Sequence, residues 1–271
     1  MAASPLQSIF RKRLSRLRQL LAAPEGMIRE KEQLHQLRVE LKKWRAGLRL
    51  LRSVDPSFPY PEMYEPFKTL FAAAGRLRFW QLQRLLVNKT ADAQPDFARL
   101  YEGFARQRIK EAWQDFTETA SRENMPRWRE LKHEFRLSLK ACTLPAIQVY
   151  FDGLQKDIAE KASHLSRRRT GDLHTLRKHL KEYANNRRLT TKHLHFDPGP
   201  PARIPGGANF DDLLGEWHDL DAACAQLAED LRTQGWEGQI LRAGKAVLRE
   251  WRRKEKYLWN KVISALLACK L

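Results

Sequence analysis

Cysteine is scarce in this sequence of 271 residues, which argues against a disulfide-stabilised fold. The three cysteines, Cys142, Cys224 and Cys269, lie far apart, and none of them belongs to a C-x-x-C pair. A disulfide framework normally uses an even number of cysteines at close spacing. We therefore expect reduced thiols in a cytoplasmic protein.

Long apolar runs are missing as well. The N-terminal stretch is interrupted by Arg11, Lys12, Arg13, Arg16 and Arg18, so it does not resemble a signal peptide. No segment elsewhere approaches the ~20 apolar residues of a membrane-spanning helix. The sequence predicts a soluble protein with no membrane partner.

Signatures of catalysis are also absent. The sequence has no glycine-rich phosphate loop with a Walker lysine, and no HExxH or GxSxG motif. His193 and His195 stand two residues apart in a Pro/Gly-rich segment without further ligands at metal-site spacing. We expect no enzyme activity, no bound metal and no cofactor.

No convincing stretch alternates apolar and polar residues with the period of a β-strand, so the predicted fold class is all-α. Helical patterns are separated by proline-rich loops at 55–61 and 190–208. The predicted helices span 5–23, 27–54, 62–87, 97–121, 126–142, 145–165, 173–189, 209–234 and 238–268. In the fourth of these, the apolar pattern predicts core positions at Leu100, Phe104, Ile109, Trp113 and Phe116.

Positive charge is what this sequence has in excess. It contains 50 lysines and arginines against 32 aspartates and glutamates, a formal net charge of +18. Such a balance predicts polyanionic partners, among which are nucleic acids, acidic membrane surfaces and phosphate polymers.

Two stripes run side by side along the segment from Leu34 to Arg52. The apolar stripe repeats at spacings of three and four and comprises Leu34, Leu37, Leu41, Trp44, Leu48 and Leu51. The basic stripe lies about 100° round the helix and comprises His35, Arg38, Lys42, Arg45, Arg49 and Arg52. Its five neighbouring like-charge pairs cost about 1–2.5 kcal/mol if all are charged. We therefore expect this face to contact a strongly anionic partner.

The second half of the chain repeats the pattern of the first. His35-x-x-Arg38-x-x-x-Lys42 returns as His174-x-x-Arg177-x-x-x-Lys181, and Gly75-x-x-Arg78 as Gly215-x-x-His218, at offsets of 139 and 140 residues. Arg29 and Arg168 each precede their histidine by six residues. These matches predict an internal duplication, with halves at 1–142 and 143–271 of one domain. Two such halves can pack about an approximate two-fold axis, so that both basic stripes face one groove or channel.

The paired segments HQLRVELKKWR and HTLRKHLKEY, together with LLGEWHDLDAA, resemble the motifs of the CHAD family, the conserved-histidine α-helical domain. The resemblance implies two four-helix bundles related by pseudo-two-fold symmetry, with basic residues lining a central channel. It also implies non-catalytic binding of inorganic polyphosphate, often at polyphosphate granules.

The family motif falls on His35, Arg38, Lys42, Lys43 and Arg45 in the first half, and on His174, Arg177, Lys178 and Lys181 in the second. The other candidate polyphosphate-binding residues are Arg29, Arg49, Arg78, Arg168, Arg188 and His218. The sequence departs from the family in three places. Phe79-Trp80-Gln81 follows Arg78 where family members carry two acidic residues, His218 replaces the family arginine before Asp219 and Asp221, and Ala184 stands where the second motif usually has arginine.

Two questions stay open at the level of sequence. The histidines His35 and His174 either contact phosphate directly or form a structural hydrogen bond at the edge of the groove. The alternative function is binding of nucleic acid, in particular structured RNA, which would require base-reading side chains that the stripes do not contain.

Asp219 and Asp221 are interpreted as structural partners of a basic helix, because no larger carboxylate cluster suits metal-assisted chemistry.

Overall fold

The structure is a computed structural model, and it describes residues 5–22, 31–120, 142–165, 170–201, 204–205 and 208–269. Within these ranges the chain forms eight α-helices and no strand, which confirms the all-α prediction. The helix predicted for 126–142 lies outside the described residues, apart from Cys142. The helices are α1 (Pro5–Leu21), α2 (Lys31–Val54), α3 (Tyr60–Asn88), α4 (Pro95–Thr119), α5 (Leu144–Ser163), α6 (Thr170–Leu194), α7 (Ala208–Thr233) and α8 (Gly238–Ala268).

The helix boundaries mostly follow the local signals in the sequence. Helix α3 begins at Tyr60, so that Pro61 occupies the first turn, where the missing N–H would have no partner inside the helix. Helix α6 extends past the predicted end at 189 and stops before His195, whose φ of 52° is left-handed. The guanidinium of Arg187 holds the following loop, because its Nε donates to Asp197 Oδ1 at 2.6 Å.

Contacts among the described residues divide the chain into two compact units. Unit 1 is drawn from 1–79, 109–157 and 178–199, and unit 2 from 80–108, 158–177 and 200–271. The division therefore falls inside helices α3, α4, α5 and α6. The halves 1–142 and 143–271 describe the repeat in the sequence, which is a different division from these two units, and they stay a prediction.

Unit 1 is built around the apolar stripe of α2. All six stripe residues, from Leu34 to Leu51, are buried, as predicted. The ring of Trp44 lies 5.9 Å from that of Phe10 on α1 and 5.2 Å from that of Phe67 on α3. Ala46 and Leu50 of α2 are buried as well, so this helix is covered on more of its circumference than a single stripe predicts.

Unit 2 is centred on the packing of α7 against α8 and on an aromatic cluster. The cluster consists of Phe97, Tyr101, Phe104 and Trp236, whose ring centroids lie 5.6–5.9 Å apart. Gly244 of α8 permits close packing here, since an added Cβ would stand 2.7 Å from the ring of Phe97.

The predicted core of α4 is partly wrong. Trp113 and Phe116 are buried, but Phe104 and Ile109 are only half-buried, and Leu100 is 39% exposed. The residues that fill the core of unit 2 from this helix are Phe97 and Tyr101, which lie on a neighbouring face. Both apolar faces fit a helical period, so the sequence pattern could not decide between them.

Candidate functional site

The basic stripe of α2 lies at the edge of the core of unit 1. Its four central residues are half-buried, while its two ends, His35 and Arg52, are exposed. Burial of the adjacent leucine stripe pulls the stems of the central side chains against the protein and leaves their charged ends at the surface. The half-buried residues are Arg38, Lys42, Arg45 and Arg49.

Arg38 is held on α3 by Phe71. Its Nη1 donates to the backbone carbonyl of Phe71 at 3.3 Å, and its guanidinium carbon lies 4.7 Å from the centre of the Phe71 ring. Gly75, one turn further along α3, leaves room for this arrangement, because an added Cβ would stand 2.8 Å from Arg38 Nη1. The Gly75 and Arg38 motifs of the sequence are therefore two sides of one contact.

Arg45 shares the same aromatic ring. Its guanidinium carbon lies 5.7 Å from the centre of the Phe71 ring, and its side chain is hydrogen-bonded to Tyr64. Burial raises the pKa of the Tyr64 hydroxyl, and the charge of Arg45 partly offsets this rise. Arg45 forms no ion pair with any carboxylate in the described part of the chain. Its positive charge is thus positioned by aromatic side chains and is not neutralised by an acid.

Arg49 connects α2 to the C-terminal part of α6. It forms an ion pair with Glu182, a buried carboxylate that also accepts a hydrogen bond from Tyr150 at 3.1 Å. The buried Asn186 donates to the carbonyl of Ala46 at 2.9 Å and to Tyr150 at 2.6 Å. As the residue number falls along α2 it rises along α6, so these two segments of unit 1 run antiparallel.

The remaining predicted cations of unit 1 have different degrees of exposure. Lys43 is half-buried and its Nζ lies 2.5 Å from Glu40, an acid on the same helix. Arg78 of α3 and Lys181 of α6 are also half-buried. Lys178 and Arg188 are exposed on α6.

In unit 2 the two predicted histidines lie against each other. His174 Nε2 is 2.9 Å from Asp221 Oδ2, and His174 Nδ1 is 2.9 Å from His218 Nδ1. Because a carboxylate accepts, His174 donates from Nε2, and its neutral form then accepts at Nδ1 from His218. The imidazole of His174 also packs on the buried Trp217, with ring centroids 4.7 Å apart. The hydrogen bond of His174 to Asp221 is a structural one, which was one of the two roles predicted for this histidine.

Arg177 stands one turn after His174 on α6. It is half-buried, and its Nε has no hydrogen-bond partner among the residues for which the structure gives positions. Burial lowers the pKa of this guanidinium, while the charges of Asp219 and Asp211 raise it. Asp219 and Asp221 therefore lie beside basic side chains of α6, as they were interpreted from sequence.

The departure of the sequence after Arg78 has a structural consequence in unit 2. Trp80 packs edge-on against Phe104, with ring centroids 5.7 Å apart, and the guanidinium of Arg108 lies 5.9 Å from the centre of the Trp80 ring. An aromatic residue and a cation therefore occupy the neighbourhood in which the family's acidic residues were expected.

Two predicted residues, Arg29 and Arg168, lie outside the described residues. Sequence reasoning missed Phe71, Tyr64, Glu182 and Asn186, which contact α2 from other helices. Phe71 could have been suspected from its position one turn before Gly75, but the other three carry no local signal.

Together, the helices and the cations define an all-helical protein with basic helix faces. A family model described as the CHAD domain matches residues 13–228, most of the chain. The protein therefore belongs to the CHAD domain family.

The fold agrees with this family. The structure is similar to the crystal structure of the CHAD domain from the plant Ricinus communis, with a TM-score of 0.66 and 16% sequence identity. The similarity covers 99% of this chain and 94% of the plant chain. No curated protein matches the sequence significantly.

Within the described ranges, no group of three or more His, Cys, Asp or Glu side chains could hold a metal ion. No helix in these ranges is long and apolar enough to cross a membrane.

Proposed function

We propose that this protein binds inorganic polyphosphate through the basic faces of α2 and α6, without catalysing a reaction on it. The observation that carries the proposal is the row of half-buried cations on α2, in which Arg38 and Arg45 are held over one aromatic ring. Phe71 holds both guanidiniums in place through its aromatic face. Arg45, which forms no ion pair in the described part of the chain, can therefore offer its charge to an external anion.

A uniform polyanion suits such a row better than a ligand with a distinctive shape. Regularly spaced guanidinium and ammonium groups bind successive phosphates by charge-assisted hydrogen bonds, and they need no other recognition element. Release of the counterions that surround the polymer supplies much of the binding free energy.

The proposed arrangement is a pair of pseudo-two-fold-related bundles with the cations facing a basic groove or channel. The antiparallel contact of α2 with α6 supports it, because these helices carry the duplicated motifs. A two-fold axis relates equivalent helices in this antiparallel manner. The proposed phosphate contacts include Lys178, Lys181 and Arg188 on α6, beside the cations of α2.

A titration of charge-neutral variants tests the proposal. We expect Lys42→Gln/Arg45→Gln to weaken binding of long-chain polyphosphate and to lower the slope of log K against log salt by about 2. The control Arg11→Gln/Lys12→Gln removes the same charge from exposed positions on α1 of unit 1. Equal losses in both variants, or none in either, would mean that diffuse basic surface explains any binding.

Binding of structured RNA is the second candidate function, and one structural observation favours it. The aromatic side chains Phe71, Tyr60 and Tyr64 lie beside the basic stripe, although the stripe itself contains none. Aromatic rings next to arginines can stack on unpaired bases. The face of Phe71 is already covered by two guanidiniums, and Tyr60 and Tyr64 stack on each other at 5.4 Å, which favours polyphosphate.

Competition between the two polyanions separates the candidates. We expect unlabelled polyphosphate to displace tRNA from the protein at about 0.1 M salt, and tRNA to displace polyphosphate poorly. The reverse order would favour the RNA-binding function. In cells, the polyphosphate proposal places the protein on polyphosphate granules, which a fluorescent fusion and the Lys42→Gln/Arg45→Gln variant would test.

A further inference from the structure

A third basic stripe runs along α8, the last helix of unit 2. Its members are spaced three and four residues apart and are Arg242, Lys245, Arg249, Arg252 and Lys256. At 100° per residue they fall within an arc of about 80°, over a length of about 21 Å. This is the same pattern that distinguishes α2.

All five side chains are exposed, and none forms an ion pair within the described part of the protein. Glu250 points about 120° away from the centre of the stripe. Glu255 accepts a hydrogen bond from Trp217 at 2.6 Å and lines the same cavity as Arg252 and Lys256 without forming an ion pair with either. The neighbouring like charges at Arg242, Lys245 and Arg249 each cost a few tenths of a kcal/mol.

One end of the stripe meets the histidine cluster of unit 2. Arg252 and Lys256 line a cavity of about 450 Å³, and Asp221 lines the same cavity. Asp221 is also the hydrogen-bond partner of His174. A chain that leaves the His174 cluster through this cavity would next meet Arg252, and then Arg249 and Lys245 further along α8.

We propose that the α8 stripe is a further row of phosphate contacts, continuous with the His174 cluster of unit 2, which makes binding depend on the length of the polyphosphate chain. This inference rests on the proposed function. Helix α8 lies beyond residue 228, where the match to the family model ends, so the stripe is not part of the matched family motifs.

The physical reason for length dependence is the distance along the stripe. Tripolyphosphate can neutralise only a few adjacent cations, whereas a long chain can bind at the His174 cluster of unit 2 and still extend along the ~21 Å of the α8 stripe. Each additional cation that it contacts releases further counterions and steepens the dependence on salt. Long chains should thus bind more tightly and with a steeper salt slope than short ones.

The test compares Lys245→Gln/Arg249→Gln with the control Lys89→Gln/Arg99→Gln, both of which remove two exposed positive charges from unit 2. Lys245 and Arg249 are exposed, so we expect the α8 variant to fold normally, which far-UV circular dichroism checks. We expect the α8 variant to bind tripolyphosphate like the wild type. For long-chain polyphosphate we expect its salt slope to fall by about 2, with no change in the control.

Each other outcome overturns one of the two proposals. If the wild type binds neither polyphosphate, the proposed function itself fails. If the wild type binds long chains but the α8 variant matches the control, the stripe takes no part in binding. If the α8 variant loses tripolyphosphate equally, the stripe itself binds short chains and gives no dependence on chain length. If it keeps long-chain polyphosphate binding but loses binding of tRNA, measured in parallel, the stripe is a nucleic-acid surface.

Discussion

The guanidinium of Arg38 occupies the space that a side chain at Gly75 would need. A Cβ at position 75 would stand 2.8 Å from Arg38 Nη1, the atom that donates to the carbonyl of Phe71. The glycine therefore controls where one cation of the proposed site is held. The contact involves the mobile end of a long side chain, so a substitution should move Arg38 without disrupting the fold.

The first prediction concerns Gly75→Ala. We expect it to weaken polyphosphate binding about tenfold, equivalent to about 1.4 kcal/mol, because Arg38 loses its hydrogen bond and its place on Phe71. The free energy of unfolding should not fall correspondingly, because within a helix alanine is more stable than glycine by roughly 0.5–1 kcal/mol. Calorimetric titration and urea unfolding measure the two quantities separately.

Gly103 provides the matched control for this substitution. It lies within α4, and an added Cβ there would meet nothing within 4 Å. Gly103→Ala should stabilise the protein slightly and leave binding unchanged. If Gly75→Ala behaves in the same way, Arg38 does not contribute to binding from its present position.

The second prediction concerns Phe71, which supports both Arg38 and Arg45. We expect Phe71→Leu to weaken polyphosphate binding, because each cation–π contact is worth about 0.5–1 kcal/mol at a partly exposed site. Phe71→Tyr keeps the ring face and should retain wild-type affinity. Equal affinities for the two variants would show that apolar bulk alone, and not the aromatic face, is what the site requires.

The third prediction separates stability from binding at Glu182. We expect Glu182→Gln to lower the free energy of unfolding by about 1 kcal/mol, since a charged hydrogen-bond acceptor is replaced by a neutral one. The loss stays small because Arg49 is 41% exposed and therefore partly screened by solvent. Polyphosphate affinity should increase, because Arg49 is no longer neutralised by a carboxylate.

Glu65→Gln is the control for this effect. Glu65 pairs with Lys68 on α3, and both side chains are about 60% exposed. Its substitution should change the free energy of unfolding by less than about 0.5 kcal/mol and leave binding unaltered. A fall in polyphosphate affinity for Glu182→Gln would indicate that the ion pair positions Arg49 for the ligand.

The fourth prediction is a pH dependence that originates at Asp230 of unit 2. This buried carboxylate accepts hydrogen bonds from Tyr101 at 2.6 Å and from Gln226 at 2.8 Å, but burial still raises its pKa above the ordinary 3.8. The folded state therefore binds the proton more tightly than the unfolded state does. The stability that comes from this linkage is complete below pH 3.8 and is lost as the pH rises through the folded-state pKa.

We expect the stability of wild type relative to Asp230→Asn to decrease as the pH is raised from about 4, until Asp230 is ionised in both states. Urea unfolding of the two proteins at a series of pH values measures this difference. Asp212→Asn, at an exposed position of α7, serves as the control for a general effect of removing one acid. A difference that does not vary with pH would contradict the raised pKa.

The existence and order of the helices could be read from the sequence, because each long helix carries an apolar period that its core requires. The six buried residues from Leu34 to Leu51 are the clearest case. The pattern failed in α4, where Leu100 is exposed while Phe97 and Tyr101 fill the core. Two apolar faces compete on that helix, and only the shape of the neighbouring helices decides which one is covered.

The candidate site could be predicted as a set of cations but not as a set of contacts. Spacing alone placed Arg38, Arg45 and Arg49 on one face of α2. It could not show that Phe71 holds the first two, or that Glu182 neutralises the third, because these partners come from α3 and α6. The third basic stripe, on α8, was visible as spacing in the sequence, but its significance depends on exposure and on the absence of paired acids.

The sequence by itself determined the fold class and the family, and its charge predicted an anionic ligand. These follow from periodicity, from motifs and from net charge, all of which are properties of the chain that do not depend on how it packs. The tertiary structure decided which cations lie against an aromatic ring, as Arg38 and Arg45 do on Phe71, and which are neutralised by a carboxylate, as Arg49 is by Glu182. Glu182 lies 133 residues from Arg49 along the chain. Its charge acts on Arg49 only because folding brings the two side chains within a few ångströms of each other.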